Sequence, residues 1–495
     1  MPGDFGIGNM GEGTRRFIDM IAQAGFAYWQ ICPVGPTGYG DSPYQSFSTH
    51  AGNPYLIDLG ELVNAGMVDD SELDTLRAIN GNYVDYGELY KRFWPIARKA
   101  ASRYASLGCP RFGRQSFDEF CQDNIHWLDG YALFMALKEL HDGKPWYQWP
   151  DEYRDYERAK RCTLLDVVSE ETRQKIYQYW FFCQWERIHE YARCKNVGII
   201  GDIPIFVAHD SADVWQNRAL FRIDSSGGLK VSAGVPPDYF SEYGQYWGNP
   251  LYDWEYLSNT DYTWWKQRFY SSLKLFDVIR LDHFRAFSSF WEIPGGACDA
   301  RAGRWVRGPG MAFFDSIGKA MPYVKIIAED LGYIDEEVYR LKVDSGLPGM
   351  KVVQFGFGHD ANNVNLPHFY PFNSVAYTGT HDNDTTRGWL SRVDGFIADK
   401  IRDYFACDSL DSAWPIVRAA FLSVSRLAVA PVQDILDLGS EARMNTPGIA
   451  NGNWRWRLNA GHLDAFASMT SKLAALNSIS DRNGRHMQTH YSVSP

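Results

Sequence analysis

Short β-branched runs recur along the 495-residue chain with helix-like stretches between them, and this alternation constrains the fold more than any other feature. The runs cover 27–31, 198–205, 276–282, 324–329, 350–355, 375–381 and 427–432. Apolar residues at helical spacing fill most intervals, for instance over 12–24, 335–344 and 412–425. Strands that alternate with helices predict a parallel sheet. Seven runs is one fewer than the eight of a closed (β/α) barrel. The chain opens on Met1-Pro2-Gly3-Asp4-Phe5-Gly6-Ile7-Gly8-Asn9, a Gly-rich loop of the kind that normally follows a strand. The expectation is therefore a (β/α)8 TIM-type barrel whose first strand lies upstream of Met1, the alternatives being a different closure or an overlooked strand.

A long insertion separates the first run from the second. Within 53–195 the segments 71–79, 86–106, 116–142 and 170–194 carry Leu, Ala, Tyr and Phe at i, i+3, i+4 spacing, which predicts an all-α subdomain. The expected organisation is a barrel start over 1–52, the helical insertion over 53–195, and the remaining barrel over 196–476. A polar tail over 477–495 is expected to fray.

A net charge of −11 and a pI near 5.6 speak against a nucleic-acid partner, because phosphate binding needs a basic surface. Aromatic residues make up 15% of the chain, with 18 Trp, and flat rings either stack on sugars or fill a large core. The 8 Cys are scattered without a CxxC pair, which fits free, mostly buried thiols in a reducing compartment better than disulfides or zinc. The chain has neither a basic start followed by an apolar stretch nor ~18 consecutive apolar residues, so the expectation is a cytoplasmic protein with no membrane partner. No metal-ligand cluster stands out, and no cofactor is expected. Gly6-Ile7-Gly8-Asn9-Met10-Gly11 has the form G-x-G-x-x-G but lacks a preceding strand and a partner acid, so it is set aside.

Three of the runs end on an acid or are followed directly by one, and the C-terminal ends of successive strands are where a barrel of this type builds its active site. Asp282 follows Arg280 by two residues, so both side chains leave the strand on one face, where a guanidinium favours the ionised carboxylate a nucleophile requires. Glu329 closes an apolar run and, in a dry pocket near other acids, should stay protonated as a general acid. Asp382 follows His381, a pair suited to sugar hydroxyls and to an oxocarbenium charge. Retaining glycosyl transfer would set nucleophile and acid ~5–5.5 Å apart. Each motif alone has a plainer reading, as an ion pair, a helix cap or a turn. Three such coincidences at three strand ends favour chemistry.

These segments, Arg280-Leu281-Asp282-His283, Ala328-Glu329-Asp330-Leu331-Gly332 and Gly379-Thr380-His381-Asp382-Asn383, resemble the signature regions of the α-amylase clan. Longer stretches narrow the resemblance to 4-α-glucanotransferases (amylomaltases, disproportionating enzymes), glycoside hydrolase family 77. Gly38 to Ser48 resembles the donor-side loop of that family. Gly234 to Phe240, continuing through Gly248-Asn249-Pro250, is similar to its glucan-covering loop. Gly439 to Asn445 with Gly452-Asn453-Trp454 resembles its C-terminal signature. The resemblance spans about 3 to 457. It implies Asp282 as nucleophile, Glu329 as acid/base and Asp382 as transition-state stabiliser. It also implies that Arg280, His283 and His381 line the subsite of the transferred glucose, with Asp202 beside them and Trp215 nearby. Asp41, Ser42 and Tyr44 would grip the glucan. Asp238, Tyr239, Phe240 and Asn445 complete the expected binding set, and the loop 234–250 would act as an aromatic lid that keeps water from the glucosyl ester. The implied substrates are α-1,4-glucans and glucose. The opening departs from the family's strand and Ser-Leu-Pro-like turn, of which only Pro2-Gly3 remains.

Overall fold

The computed structural model describes residues 3–79, 81–237, 242–358, 363–449 and 451–483. Eleven strands are present among them: β1 (Tyr28–Gln30), β2 (Gly198–Ile203), β3 (Val231–Val235), β4 (Gln245–Pro250), β5 (Val278–Leu281), β6 (Ser289–Pro294), β7 (Arg304–Arg307), β8 (Ile326–Ala328), β9 (Gly349–Val352), β10 (Ser374–Tyr377) and β11 (Leu427–Val429). Seven of these form one parallel sheet in the order β1-β2-β5-β8-β9-β10-β11, and all seven sit inside the runs legible in the sequence or within a residue of them. The strands are shorter than the runs because the chain turns early. Val353–Gly356 curls into a 3-10 turn, and Val432–Ile435 begins a short helix. The fold is a TIM-type barrel with helical insertions.

The central strands β5, β8 and β10 are buried along their whole length, as parallel strands covered on both faces should be. The two ends of the sheet differ. Every residue of β1 and of β11 is only partly buried. Between these two strands runs a cavity of about 890 Å³, walled by Phe17, Tyr28, Trp29, Phe421, Leu427 and Val429. Among the described residues no strand lies there, so the barrel has an open seam at the place of an eighth strand.

The helical insertion centres on Leu165–Cys194, a 30-residue helix that packs against Ile125–Leu140 and Tyr86–Ser106. Helix starts follow the usual capping chemistry: Asp85 accepts from the Glu88 N–H, and Ser116 forms a capping box with Glu119. Two buried amides fasten the long helix to the start of the barrel. Gln178 exchanges a pair of hydrogen bonds with Gly52 (2.7 and 2.9 Å), and Gln184 does the same with Asp58 (2.7 and 3.0 Å).

Sequence reasoning missed a second sheet, antiparallel, in the order β4-β3-β6-β7. Its strands reach into the segment 234–250 read as a lid loop: residues 234–235 belong to β3 and 245–250 to β4. Residues 477–483 also depart from a fraying tail. The helix Ala460–Ile479 continues into them, Asn477 donates to the Ala24 carbonyl at 2.8 Å, and Arg482 donates to the carbonyls of Phe421, Ser423 and Ser425. All eight cysteines are free thiols, though Cys194 and Cys298 are exposed rather than buried.

Candidate active site

The register of the parallel sheet sets Asp202 on β2 directly beside Arg280 on β5. Both are buried, and a single guanidinium nitrogen serves both carboxylate oxygens: Arg280 Nη1 lies 2.8 and 2.6 Å from the two Asp202 oxygens. The same nitrogen donates to Asp282 Oδ1 at 2.9 Å, so the spacing of two residues does bring guanidinium and carboxylate together. Burial pushes the Asp202 carboxyl up, and the Arg280 guanidinium pulls it the other way. Charge-assisted bonds of this kind are stronger than neutral ones.

Glu329 follows β8 and is buried. Its Oε2 accepts the His283 N–H and its Oε1 the Leu331 N–H, each at 2.7 Å. His283 takes a left-handed backbone conformation, φ 50°. That conformation is costly for a residue with a Cβ and persists where surrounding contacts fix it. Here the N–H it presents is tied to the Glu329 carboxyl. Burial, and next the charge of Asp282, push Glu329 up to about 8, against the opposing pull of Arg280 and the two N–H donors. Glu329 therefore carries its proton at neutral pH. Burial lowers His283 to about 4, which leaves it a neutral imidazole.

Asp382 is the most open of the three acids. Asn445 Nδ2 donates to its Oδ1 at 2.6 Å, His381 Nε2 stands 3.4 Å from the same oxygen, and Arg443 donates to its carbonyl at 2.7 Å. Behind it the loop is anchored by the buried Asp434, which accepts from Thr378 Oγ1 and from both the N–H and the hydroxyl of Thr386. Tyr44 closes the set. Its phenol donates to Asp202 at 2.7 Å, lies 3.4 Å from His381 Nδ1, and its ring stacks on His381 at 4.9 Å.

The structure thus gathers Arg280, Asp282, His283, Glu329, His381, Asp382, Asp202, Tyr44 and Asn445 at one end of the sheet. Ser42 acts locally, accepting from the Tyr44 N–H at 3.2 Å, and Asp41 lies next to Ser42, its pKa raised by burial. Trp215 is not part of the group. It is fully buried in the insertion core, against Phe134, Trp149 and Tyr156, with Nε1 donating to the Tyr153 carbonyl. A Trp close to a strand-end acid in sequence points away from it because the helix Ala212–Gln216 turns its apolar side inward. Asp238, Tyr239 and Phe240 lie outside the described residues.

Three contributors were not singled out from the sequence as site residues. Trp247, on β4, packs edge-on against His283 at 4.9 Å. Trp454 packs against His381 at 5.5 Å and Tyr44 at 5.6 Å. The Cys32 thiol, just past β1, is pushed up to about 12 by burial and the nearby Asp202 charge, so it stays protonated and is no nucleophile. Trp247 was expected only as one of the aromatics of the 234–250 lid, and Trp454 only as a member of the Gly452-Asn453-Trp454 motif; nothing in the pattern around Cys32 marks it.

Comparison with known proteins agrees with this geometry. The family model described as 4-alpha-glucanotransferase matches residues 1–463. A 4-alpha-glucanotransferase of Thermus thermophilus is 45% identical, covering 94% of this chain and 93% of its own length. One from Streptococcus pneumoniae is 42% identical over 94% of this chain and 92% of its own. Among solved structures, an amylomaltase from Streptococcus agalactiae in complex with acarbose superposes with a TM-score of 0.91 at 35% identity, covering 97% of each chain. With these matches spanning barrel, insertion and site alike, the chain belongs to the 4-alpha-glucanotransferase family.

Proposed function

We propose that the protein is a retaining 4-α-glucanotransferase that moves α-1,4-glucan segments between maltooligosaccharides, or onto glucose, through a covalent glucosyl–Asp282 ester. The observation that carries this reading is the pairing of Arg280-bound Asp282 with a buried Glu329 that keeps its proton at neutral pH. A nucleophilic carboxyl beside a proton-donating one is the pairing that retaining chemistry uses.

In the first step Asp282 attacks the anomeric carbon while Glu329 gives its proton to the departing 4-oxygen. In the second, Glu329, now ionised, removes the proton of an incoming glucan 4-hydroxyl, which displaces the Asp282 carboxylate. Asp382, steadied by Asn445 and close to His381, offsets positive charge on the ring in both steps. Asn445 serves here by holding Asp382. Neutral His283 and the stacked His381–Tyr44 pair suit binding of ring hydroxyls. Transfer rather than hydrolysis requires that the ester stay dry while an acceptor is positioned. Trp247, carried by the hairpin against His283, supports such shielding. Free thiols throughout support a cytoplasmic setting.

The test is to trap the ester. Glu329→Gln is incubated with an activated maltosyl donor whose leaving group needs no proton, then digested and mapped by mass spectrometry. A glycosyl adduct on the peptide containing Asp282 is expected. An adduct on another carboxylate, or none while the donor is consumed, removes the assignment.

A further inference from the structure

Arg285 stands three residues beyond Asp282, in the short helix Phe284–Phe287, and is only 4% exposed. Its guanidinium reaches the segment that follows Glu329: Nη1 donates to the Tyr333 carbonyl at 3.0 Å and Nη2 to Asp335 Oδ2 at 2.9 Å. Nη2 also donates to Ser289 Oγ at 3.1 Å. One face of the plane lies over the Trp305 ring of β7, 3.8 Å from its centroid. Asp335 in turn caps the helix Glu336–Ser345 by accepting the Val338 N–H at 2.9 Å.

The same turn holds the other end of that segment. The Phe284 N–H donates to the Glu329 carbonyl at 2.9 Å, and the His283 N–H donates to the Glu329 carboxyl. Residues 283–285 therefore grip 329–335 at both ends. We propose that Arg285 is a positioning residue that clamps the segment after β8 shut against the turn after β5, and so holds the proton-donating Glu329 in place and away from water. The inference rests on the reading of Glu329 as the acid/base.

A planar fork suits this task. It meets acceptors on two separate segments while its face stays stacked on an indole, whereas a Lys ammonium offers donors without the plane. Asp330 is held independently, by the Met350 N–H and by Lys342, so without the clamp it is 331–335 that would lose its tie to the turn after β5, and water would gain access to the carboxyl. Desolvation is the first cause of its raised pKa, so hydration moves it back down. The other groups that face Glu329 stay as they are: Arg280 and Asp282 from β5, His283 from the turn, and the Tyr377 phenol from β10.

The experiment measures maltotriose turnover from pH 5 to 9, together with the thermal unfolding midpoint, for the wild type, Arg285→Met, Arg285→Lys and Glu329→Gln. In Arg285→Met the basic limb of kcat/KM is expected to move down by at least one pH unit. Its kcat should fall about threefold or more at pH 7.5 and much less at pH 5.5, with KM within twofold. Arg285→Lys is expected in between. A lowered midpoint with an unmoved basic limb would make Arg285 a packing residue and overturn the proposal. Retained turnover in Glu329→Gln would instead overturn the acid/base reading beneath it.

Discussion

Raising the pH from 5.5 to 7.5 should destabilise the wild type but not Glu329→Gln, relative to each protein's own starting value. Glu329 titrates near 8 in the folded chain, against an ordinary value of 4.5. Because the folded value is the higher one, the folded state keeps a proton that the unfolded chain has released. The stabilisation from that proton is complete below 4.5 and is lost as pH rises toward 8. Across this two-unit window the unfolded chain gains about 2–3 kcal/mol relative to the folded one, from 1.36 kcal/mol per unit with a small correction for partial ionisation near 8. At the usual entropy of unfolding per residue, that amounts to about 2–3 °C of unfolding midpoint for a chain of this length. The glutamine side chain cannot titrate, so its own offset, including the mismatch of its NH2 with one of the two N–H donors, cancels when each protein is compared with itself. The assay is a pair of calorimetric scans at each pH in matched ionic strength. Parallel pH dependence in the two proteins would refute the reasoning, because Glu329 would then be ionised throughout and unable to act as the acid.

Other perturbations follow from the same geometry. Asp282→Asn should abolish turnover while maltotriose binding, followed by calorimetry or tryptophan fluorescence, stays measurable; turnover that survives would remove the nucleophile assignment. Tyr44→Phe deletes a charge-assisted bond to the buried Asp202, an interaction of about 1.5–3 kcal/mol, and should lower kcat/KM roughly tenfold or more with the fold intact. Gly201→Ala, one residue before Asp202, would drive a methyl into the Phe276 ring and should cost about 1–3 kcal/mol or more, read as a lowered denaturation midpoint. An apolar extended segment placed to fill the seam between β1 and β11 should raise the unfolding midpoint and slow amide exchange over 27–31 and 426–430, whereas a Ser/Asn-rich segment of equal length should do neither.

The barrel was legible because its strands are buried on both faces and so read as unbroken β-branched runs, as in Val278-Ile279 or Ile326-Ile327. The acids were legible because three of them fall at the ends of such runs, where any one alone could be an ion pair, a helix cap or a turn. The antiparallel sheet was not. Val231–Val235 holds a Gly, and Gln245–Pro250 holds Gly, Asn and Pro, so both read as loop; pairing of β3 with β6, and of β4 with β3, makes them strands. Trp215 and Trp247 show the limit of residue type. One fills a core and the other borders the site, a difference set by tertiary packing and by nothing local. Asn445 was found for a reason other than its contact: the motif placed it near the site, while only the coordinates show it bonded to Asp382. Arg285 sits within four residues of the most conspicuous motif, yet its role depends on Tyr333, Asp335 and Trp305, which the sequence scatters across 50 positions.

The most direct measurement is incubation with maltotriose alone, with products separated by chromatography against time and reducing ends counted in parallel. Glucose together with maltopentaose and longer chains, at a constant number of reducing ends, is the predicted result. Glucose and maltose accompanied by a steady rise in reducing ends would make the protein a hydrolase and contradict the account.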